Sequence, residues 1–427
     1  MRIGGNRSSR ADDRGAIVRT HYGSTFHASY IKPSEELTEV WKNNYGPLES
    51  DSNQTFSLGY FEVVAREDGL LVVGRCAASI VSAYIALLDK DRAQQDSWRT
   101  TTQALEHSGL QLFEELKSEE VQYRTGSTRH IGGVFAANSA TIQPAQLARG
   151  LRRVAIERGV RIFEKSPMVK LVRGASPRVV TRNGSVAANR VGLAMNAWSG
   201  MIPELSRQMV VVGSDLVATE RCPELLEKLN LRSGLAISDS RLFTNYYRCT
   251  RDGRMVFGKG GGSFAFGADL GSLFDGSSRF EQQLRATMEW FYPEFSKVAK
   301  AKSWNGPIDR TMTGLPLFGQ LNGSDSIFYA FGYSGNGVGP THLGGRVLAS
   351  LTLGLDDEFA RLPLVGFRAE RFPPEPFRYV GARVIRAALA RREAAEDMGK
   401  KPAKLDVALA SLMPGGLVPV KTKDGSS

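Results

Sequence analysis

Apolar positions recur along this chain with two periods. Short apolar runs or strict alternation predict strands at 62–64, 69–73, 160–163, 169–172, 178–181, 191–195, 209–219 and 327–330, and within 241–257. In the last of these Leu242, Thr244, Tyr246 and Arg248 share one face, and Phe243, Asn245, Tyr247 and Cys249 the other. Helical spacing predicts helices over Ala77–Arg92, Arg99–Leu116 with a break near Gly109, a short one from Glu119, Ser278–Tyr292 and His342–Gly354. Ser34–Asn43 reads as a short helix behind a serine cap in an otherwise irregular Met1–Tyr60. Pro144 opens another helix, Leu147, Leu151, Val154 and Ala155 share its inner face, and Gly159 ends it. With the strand 160–163 this helix is the clearest doubly wound unit in the chain. Beyond the stiff connector Phe372–Pro376, Val380, Val384, Ile385, Ala388 and Leu389 predict an amphipathic helix with an arginine-rich outer face, packed on the body.

A length of 427 residues suits two interleaved domains, and a hydrophobic content of 42% is ordinary for a globular chain. There is no apolar run long enough to span a bilayer, and the polar start is no secretory signal. The three cysteines are far apart and the five histidines scattered, which argues against a metal or disulfide framework and for a reducing cytoplasm. The net charge of +11 comes without a nucleic-acid-binding pattern, so a solvated basic face is the reading, and no nucleic acid is expected.

Chemistry concentrates in Phe331–Arg346, FGYSGNGVGPTHLGGR. A strand runs into a loop with Gly335, Gly337 and Gly339, and the loop into a helix. Alternate glycines admit a ligand close to the backbone, and amides at a helix start offer donors to negative charge. A turn built only for chain reversal has the same spacing. By contrast, Gly74–Ser79 follows a strand but lacks the second and third glycines of G-x-G-x-x-G, with Cys76 and Ser79 in their places. Val256–Gly262 lacks the lysine and hydroxyl of a phosphate loop and reads as a flexible hairpin end. No Ser-His-Asp, Cys-His or metal constellation is readable, as in enzymes whose cofactor carries the chemistry.

GYSGNGV-x-x-x-x-LGGR and the preceding WNGPIDRTMTGLPLFG (Trp304–Gly319) resemble blocks of the FAD-dependent oxidoreductases related to D-amino-acid oxidase, glycine oxidase and sarcosine oxidase, nearest the gamma-glutamylputrescine oxidase-like subgroup. The resemblance runs from about Glu62 to Gly354. It implies an α/β (α+β) fold in which a Rossmann-like FAD-binding domain interleaves with an antiparallel-sheet substrate domain. The segments implied are 1–60, an irregular remnant of the FAD domain; 61–138 and 209–305, substrate domain; 139–208 and 306–365, FAD-binding domain; and 366–427, a basic C-terminal helix and tail.

The resemblance also implies non-covalent FAD, contacted by Met168, Asn196, Ala197, Trp198 and the loop Gly335, Asn336, Gly337, Val338 and Gly339. It implies hydride transfer from the α-carbon of an amine or amino acid to the flavin, hydrolysis of the imine, and oxygen or another electron acceptor. Tyr246, Tyr247 and Arg248 stand where relatives place substrate-facing residues. The arginine that grips a substrate carboxylate in glycine and D-amino-acid oxidases is replaced here by Ile308; Arg310, two residues on, substitutes only if the loop bends. A larger amine is therefore expected rather than a simple α-amino acid. The lysine some relatives use with oxygen aligns with Val256, and Lys259 should face the other way. The family's opening strand, G-x-G-x-x-G, helix and second strand are not found before Glu62, so the chain is expected to start after that unit. A truncated, non-catalytic binding protein is the alternative reading.

Overall fold

A computed structural model describes residues 113–136 and 141–413, apart from 232–233, 242, 268, 272 and 368–369, together with positions 102 and 111 and the backbone of short strands within 17–82. Those early strands are β1 (Ile17–Arg19), β2 (His27–Ile31), β3 (Gln54–Leu58), β4 (Phe61–Arg66), β5 (Gly69–Gly74) and β6 (Val81–Ser82). The first five form an antiparallel sheet in the order β1-β2-β5-β4-β3. The strands expected at 62–64 and 69–73 are β4 and β5, paired as a hairpin from Arg66↔Gly69. Three strands before residue 60 replace the expected irregular segment. Val81–Ser82 is a strand where a helix was expected over 77–92; the remainder of that helix, and the one at 34–43, lie outside the described residues.

β7 (Glu114–Leu116) and β8 (Gly133–Phe135) pair around helix α1 (Ser118–Thr125). The expected helix 99–116 thus ends in strand, held by its ladder with β8 and by Leu116, which joins the core. Helix α2 (Pro144–Glu157) starts at its proline, with the Gln143 side chain accepting from the amides of Ala145 and Gln146. Its apolar face is not an inner face among the described residues: Leu147 is 42% and Leu151 62% exposed. The strand expected at 160–163 makes no ladder there either, and Val160, Ile162 and Phe163 are exposed. A strand exists only through its partners' hydrogen bonds, and no described strand pairs with this segment.

A meander of β9 (Lys170–Val172), β10 (Arg178–Thr181) and β11 (Gly184–Ala187) follows, turning at Asn183-Gly184 as expected. Then come β12 (Val191–Leu193), the short helix α3 (Pro203–Ser206), β13 (Met209–Thr219), α4 (Pro223–Lys228), β14 (Ala236–Ser238), β15 (Asn245–Cys249), β16 (Met255–Lys259) and α5 (Glu281–Phe291). β17 (Lys300–Thr311), β18 (Leu317–Gln320), β19 (Ile327–Phe331), α6 (Thr341–Leu353), α7 (Phe377–Asp397) and α8 (Lys404–Ala410) complete the chain.

Two sheets position the site. The larger runs β17-β13-β16-β15-β14-β6, antiparallel except for the β14–β6 edge. Val256–Gly262, expected as a flexible hairpin end, instead places β16 in the middle of it. One face packs on α5, burying Val217, Tyr247, Phe257, Leu284, Met288 and Phe291. The smaller sheet is β12-β19-β18, with β12 parallel to β19 (Leu193↔Tyr329). Its core joins Leu193, Ala197, Leu317, Ile327 and Phe331 to Met209 and Val211 of the larger sheet, so the two share a seam. No helix among the described residues is long and apolar enough to cross a membrane.

Candidate active site

The loop after β19 carries the glycines. Gly332 has φ +87°, Ser334 +56° and Gly335 +92°, so the chain reverses twice before α6 begins at Thr341. Two hydrogen bonds from β17 hold this turn. The Asp309 carboxylate accepts from the Gly332 amide at 2.5 Å, and the Thr311 amide donates to Ser334 Oγ at 3.2 Å. Inside the turn the Asn336 amide is taken by the Tyr333 carbonyl. The amides of Gly335, Gly337, Val338 and Gly339 have no acceptor among the described residues. A Cβ at Gly344 would stand 1.9 Å from Tyr333 Oη, which is why the first glycine of LGGR lets α6 pack so close behind the turn.

This turn forms one end of a cavity of about 1100 Å³. The larger sheet supplies its floor through alternate residues: Val210, Val212, Ser214 and Leu216 of β13, and Trp304, Ile308 and Arg310 of β17. Ile308 lies against Gly335, 3.3 Å from where a Cβ would stand. Arg310 needs no bend to reach the same space; period two puts it on the face of Ile308. Its Nε is buried without a partner, and burial brings its guanidinium down to about 10, so it stays charged at neutral pH.

Of the substrate-facing candidates, Tyr246 and Arg248 also face the cavity. The Tyr246 hydroxyl meets Ser214 Oγ, and its ring lies on Gly258. Arg248 has its basicity lowered by burial and stands far from Arg310, three strands across the sheet and, since Arg248, Val256, Ala218 and Lys302 share one row, eight residues along it. Tyr247 borders the cavity, but its ring belongs to the core beneath, between Phe257 and Phe291, with its hydroxyl 3.0 Å from His130 Nε2. Val256 faces the cavity, while Lys259 turns away and donates to the Phe243 carbonyl.

The second group of expected contacts lies apart from this cavity. Met168 packs against the core of the smaller sheet. Asn196 opens a short 3-10 turn beyond the carboxyl end of β12 with φ +48°; Ala197 is fully buried and Trp198 is 54% exposed. Because β12 and β19 are parallel, this turn and the glycine turn emerge at the same end of the sheet, where α/β sheets bind ligands.

Sequence reasoning missed the wall opposite the floor. Helix α7 lines the cavity with Phe377, Gly381, Ala382, Ile385 and Leu389. Its buried stripe is rotated from the one expected: Val380 and Val384 are exposed, while two arginines assigned to the outside turn inward. Arg378 pairs with Glu375 and donates to the carbonyls of Ser206 and Met209. Arg386 donates to the Gly261 carbonyl and lies over the Phe243 and Phe280 rings. The inward arginines could be found from sequence only by knowing which distant carbonyls need donors.

The glycine turn therefore offers unsatisfied donors, the start of a thirteen-residue helix and a wide cavity, which fit the polar edge of a flat ring that gains negative charge on reduction. Comparison with known proteins identifies the family. Residues 56–351 match the family model described as DAO, FAD dependent oxidoreductase. A probable oxidoreductase, OrdL, of Haemophilus influenzae is 30% identical over 283 residues, covering 64% of this chain and 62% of the relative. Gamma-glutamylputrescine oxidoreductase of Escherichia coli is 29% identical over 308 residues, covering 70% and 68%. The match thus spans about two thirds of these relatives' length. The crystal structure of glycine oxidase from Geobacillus kaustophilus superimposes with a TM-score of 0.54 at 17% identity, over 78% of this chain and 80% of that one. The chain belongs to the DAO family of FAD-dependent oxidoreductases, and its cofactor is FAD.

Proposed function

We propose that this protein oxidises an amine that carries a carboxylate, passing the electrons to oxygen or another acceptor. Bound FAD would supply the two-electron acceptor for a hydride leaving the carbon next to the substrate nitrogen, and water would hydrolyse the resulting imine. The chain's own residues bind and orient. The amides of Gly335, Gly337, Val338 and Gly339, with Asn336 and the start of α6, would hold the ring's pyrimidine edge and favour negative charge on it. Met168 and Asn196–Trp198 would contact the rest of the cofactor at the same end of the sheet.

The observation that carries the substrate reading is Arg310. A buried guanidinium nitrogen with no partner, two residues from the one touching Gly335, is a costly arrangement unless an anion completes it. Arg248 and the Tyr246 hydroxyl sit farther along the same floor and would meet the distal part of a longer substrate. Anaerobic bleaching of the flavin by a panel of amines tests this. Amines with a carboxylate should bleach it, and Arg310→Met should raise their KM roughly a hundredfold while sparing amines without one. Equal KM values in the two proteins would remove the assignment.

A further inference from the structure

We propose that helix α7 is the specificity wall of this enzyme, selecting substrates whose side chain is long and apolar. The proposal rests on Arg310 as the carboxylate anchor. The family match ends at residue 351, and α7 begins at Phe377, so this wall is outside what the relatives' model describes. The helix nevertheless crosses the end of the larger sheet. Arg378 ties it to Met209 at the start of β13, Arg386 to Gly261 beyond β16, and Glu393 accepts from the Phe243 amide at 2.8 Å before β15. Ala388 and Leu389 are fully buried. These anchors lie at or next to the ends of three different strands, so the helix is fixed in place.

The face it turns to the cavity carries Phe377, Ile385 and Leu389 beside Arg378 and Arg386, whose guanidiniums are held by backbone carbonyls, and at Gly381 and Ala382 it is recessed. A Cβ at Gly381 would meet nothing within 4 Å, so this glycine is not there for packing or for backbone freedom; it leaves space. Val210, Val212 and Ile308 line the same cavity from the floor, and Arg310 stands beside Val210 in the strand register. The cavity, at about 1100 Å³, exceeds the roughly 300–1,000 Å³ that one drug-sized ligand uses, which leaves room along α7 beside a ring at the glycine turn. A carboxylate at Arg310 therefore leaves an apolar trough along α7 that a short amino acid cannot fill. Burying each methylene there should tighten binding about fourfold.

Calorimetric titration of the purified protein with straight-chain carboxylates from acetate to octanoate tests this without catalysis. Affinity should climb with chain length in the wild type. In Gly381→Leu, which favours helix and adds bulk only to the trough, the climb should stop at a shorter chain. Arg310-dependent binding that does not change with length, or a climb that Gly381→Leu leaves intact, overturns the role of α7 and leaves the anchor standing. Carboxylates that bind Arg310→Met as tightly as the wild type overturn the anchor, and the proposal for α7 with it.

Discussion

Asp309 of the larger sheet holds the amide of Gly332, the first residue of the glycine turn on the smaller one, at 2.5 Å. The carboxylate is 1% exposed, and burial raises it to about 6, against the pull of the amide hydrogen bonds it accepts. With the Thr311–Ser334 hydrogen bond, this contact registers β17 against the glycine turn.

A carboxyl raised in the folded state stabilises fully below its unfolded value, 3.8, and loses that contribution as pH rises through about 6. Asp309→Asn keeps an acceptor for Gly332 and removes the titration. Urea unfolding of the two proteins should therefore diverge between pH 4 and 6, the wild type losing roughly 2–3 kcal/mol relative to the variant. Parallel curves would show that Asp309 does not carry this proton.

His130 has the opposite sign. Thr125 Oγ1 donates to the Val121 carbonyl, so it must accept from His130 Nδ1, and His130 Nε2 is left to accept from Tyr247. The ring is neutral, and burial depresses it to about 3. Its contribution is present above 6.5 and fades as pH falls toward 3, by up to roughly 5 kcal/mol. His130→Phe should be less stable at pH 7 by about 1–3 kcal/mol and show a flatter acid limb. Urea midpoints measured from pH 7 to pH 4 check both.

Gly258 lies under the Tyr246 ring, where a Cβ would come within 2.4 Å of ring atoms. Gly258→Ala should push Tyr246 off Ser214 and into the cavity. A rise in substrate KM with stability changed by about 1–3 kcal/mol is expected, and Tyr246→Phe should reproduce neither the clash nor its full effect. Steady-state kinetics on both variants separates the ring's position from its hydroxyl.

Binding at Arg310 should weaken as pH rises through about 10, where the guanidinium loses its proton. Carboxylate affinity from pH 8 to pH 11, compared between wild type and Arg310→Lys, measures this. Lysine should lose the two-pronged geometry and bind more weakly throughout.

Much of the site was legible from alternation. The sorting of Tyr246 and Arg248 from Tyr247 follows from period two along β15, and the same period carries Ile308 and Arg310 to one side of β17. The glycine turn between strand and helix was equally plain, because its residues are contiguous. What stayed hidden depends on contacts between distant segments. The inward turn of Arg378 and Arg386 depends on carbonyls more than a hundred residues away. The strand expected at 160–163 depends on a ladder partner that the described residues do not supply. The rotation of the buried stripe on α7 also followed its arginines, since a helix with apolar residues on several sides is oriented by its anchors.

Electron density for the FAD-loaded protein tests the central claim most directly. The account predicts the pyrimidine edge of the ring within hydrogen-bond distance of the amides between Gly335 and Gly339, with the Arg310 guanidinium on the substrate side of the ring. A ring bound elsewhere, with that turn facing solvent, would contradict it.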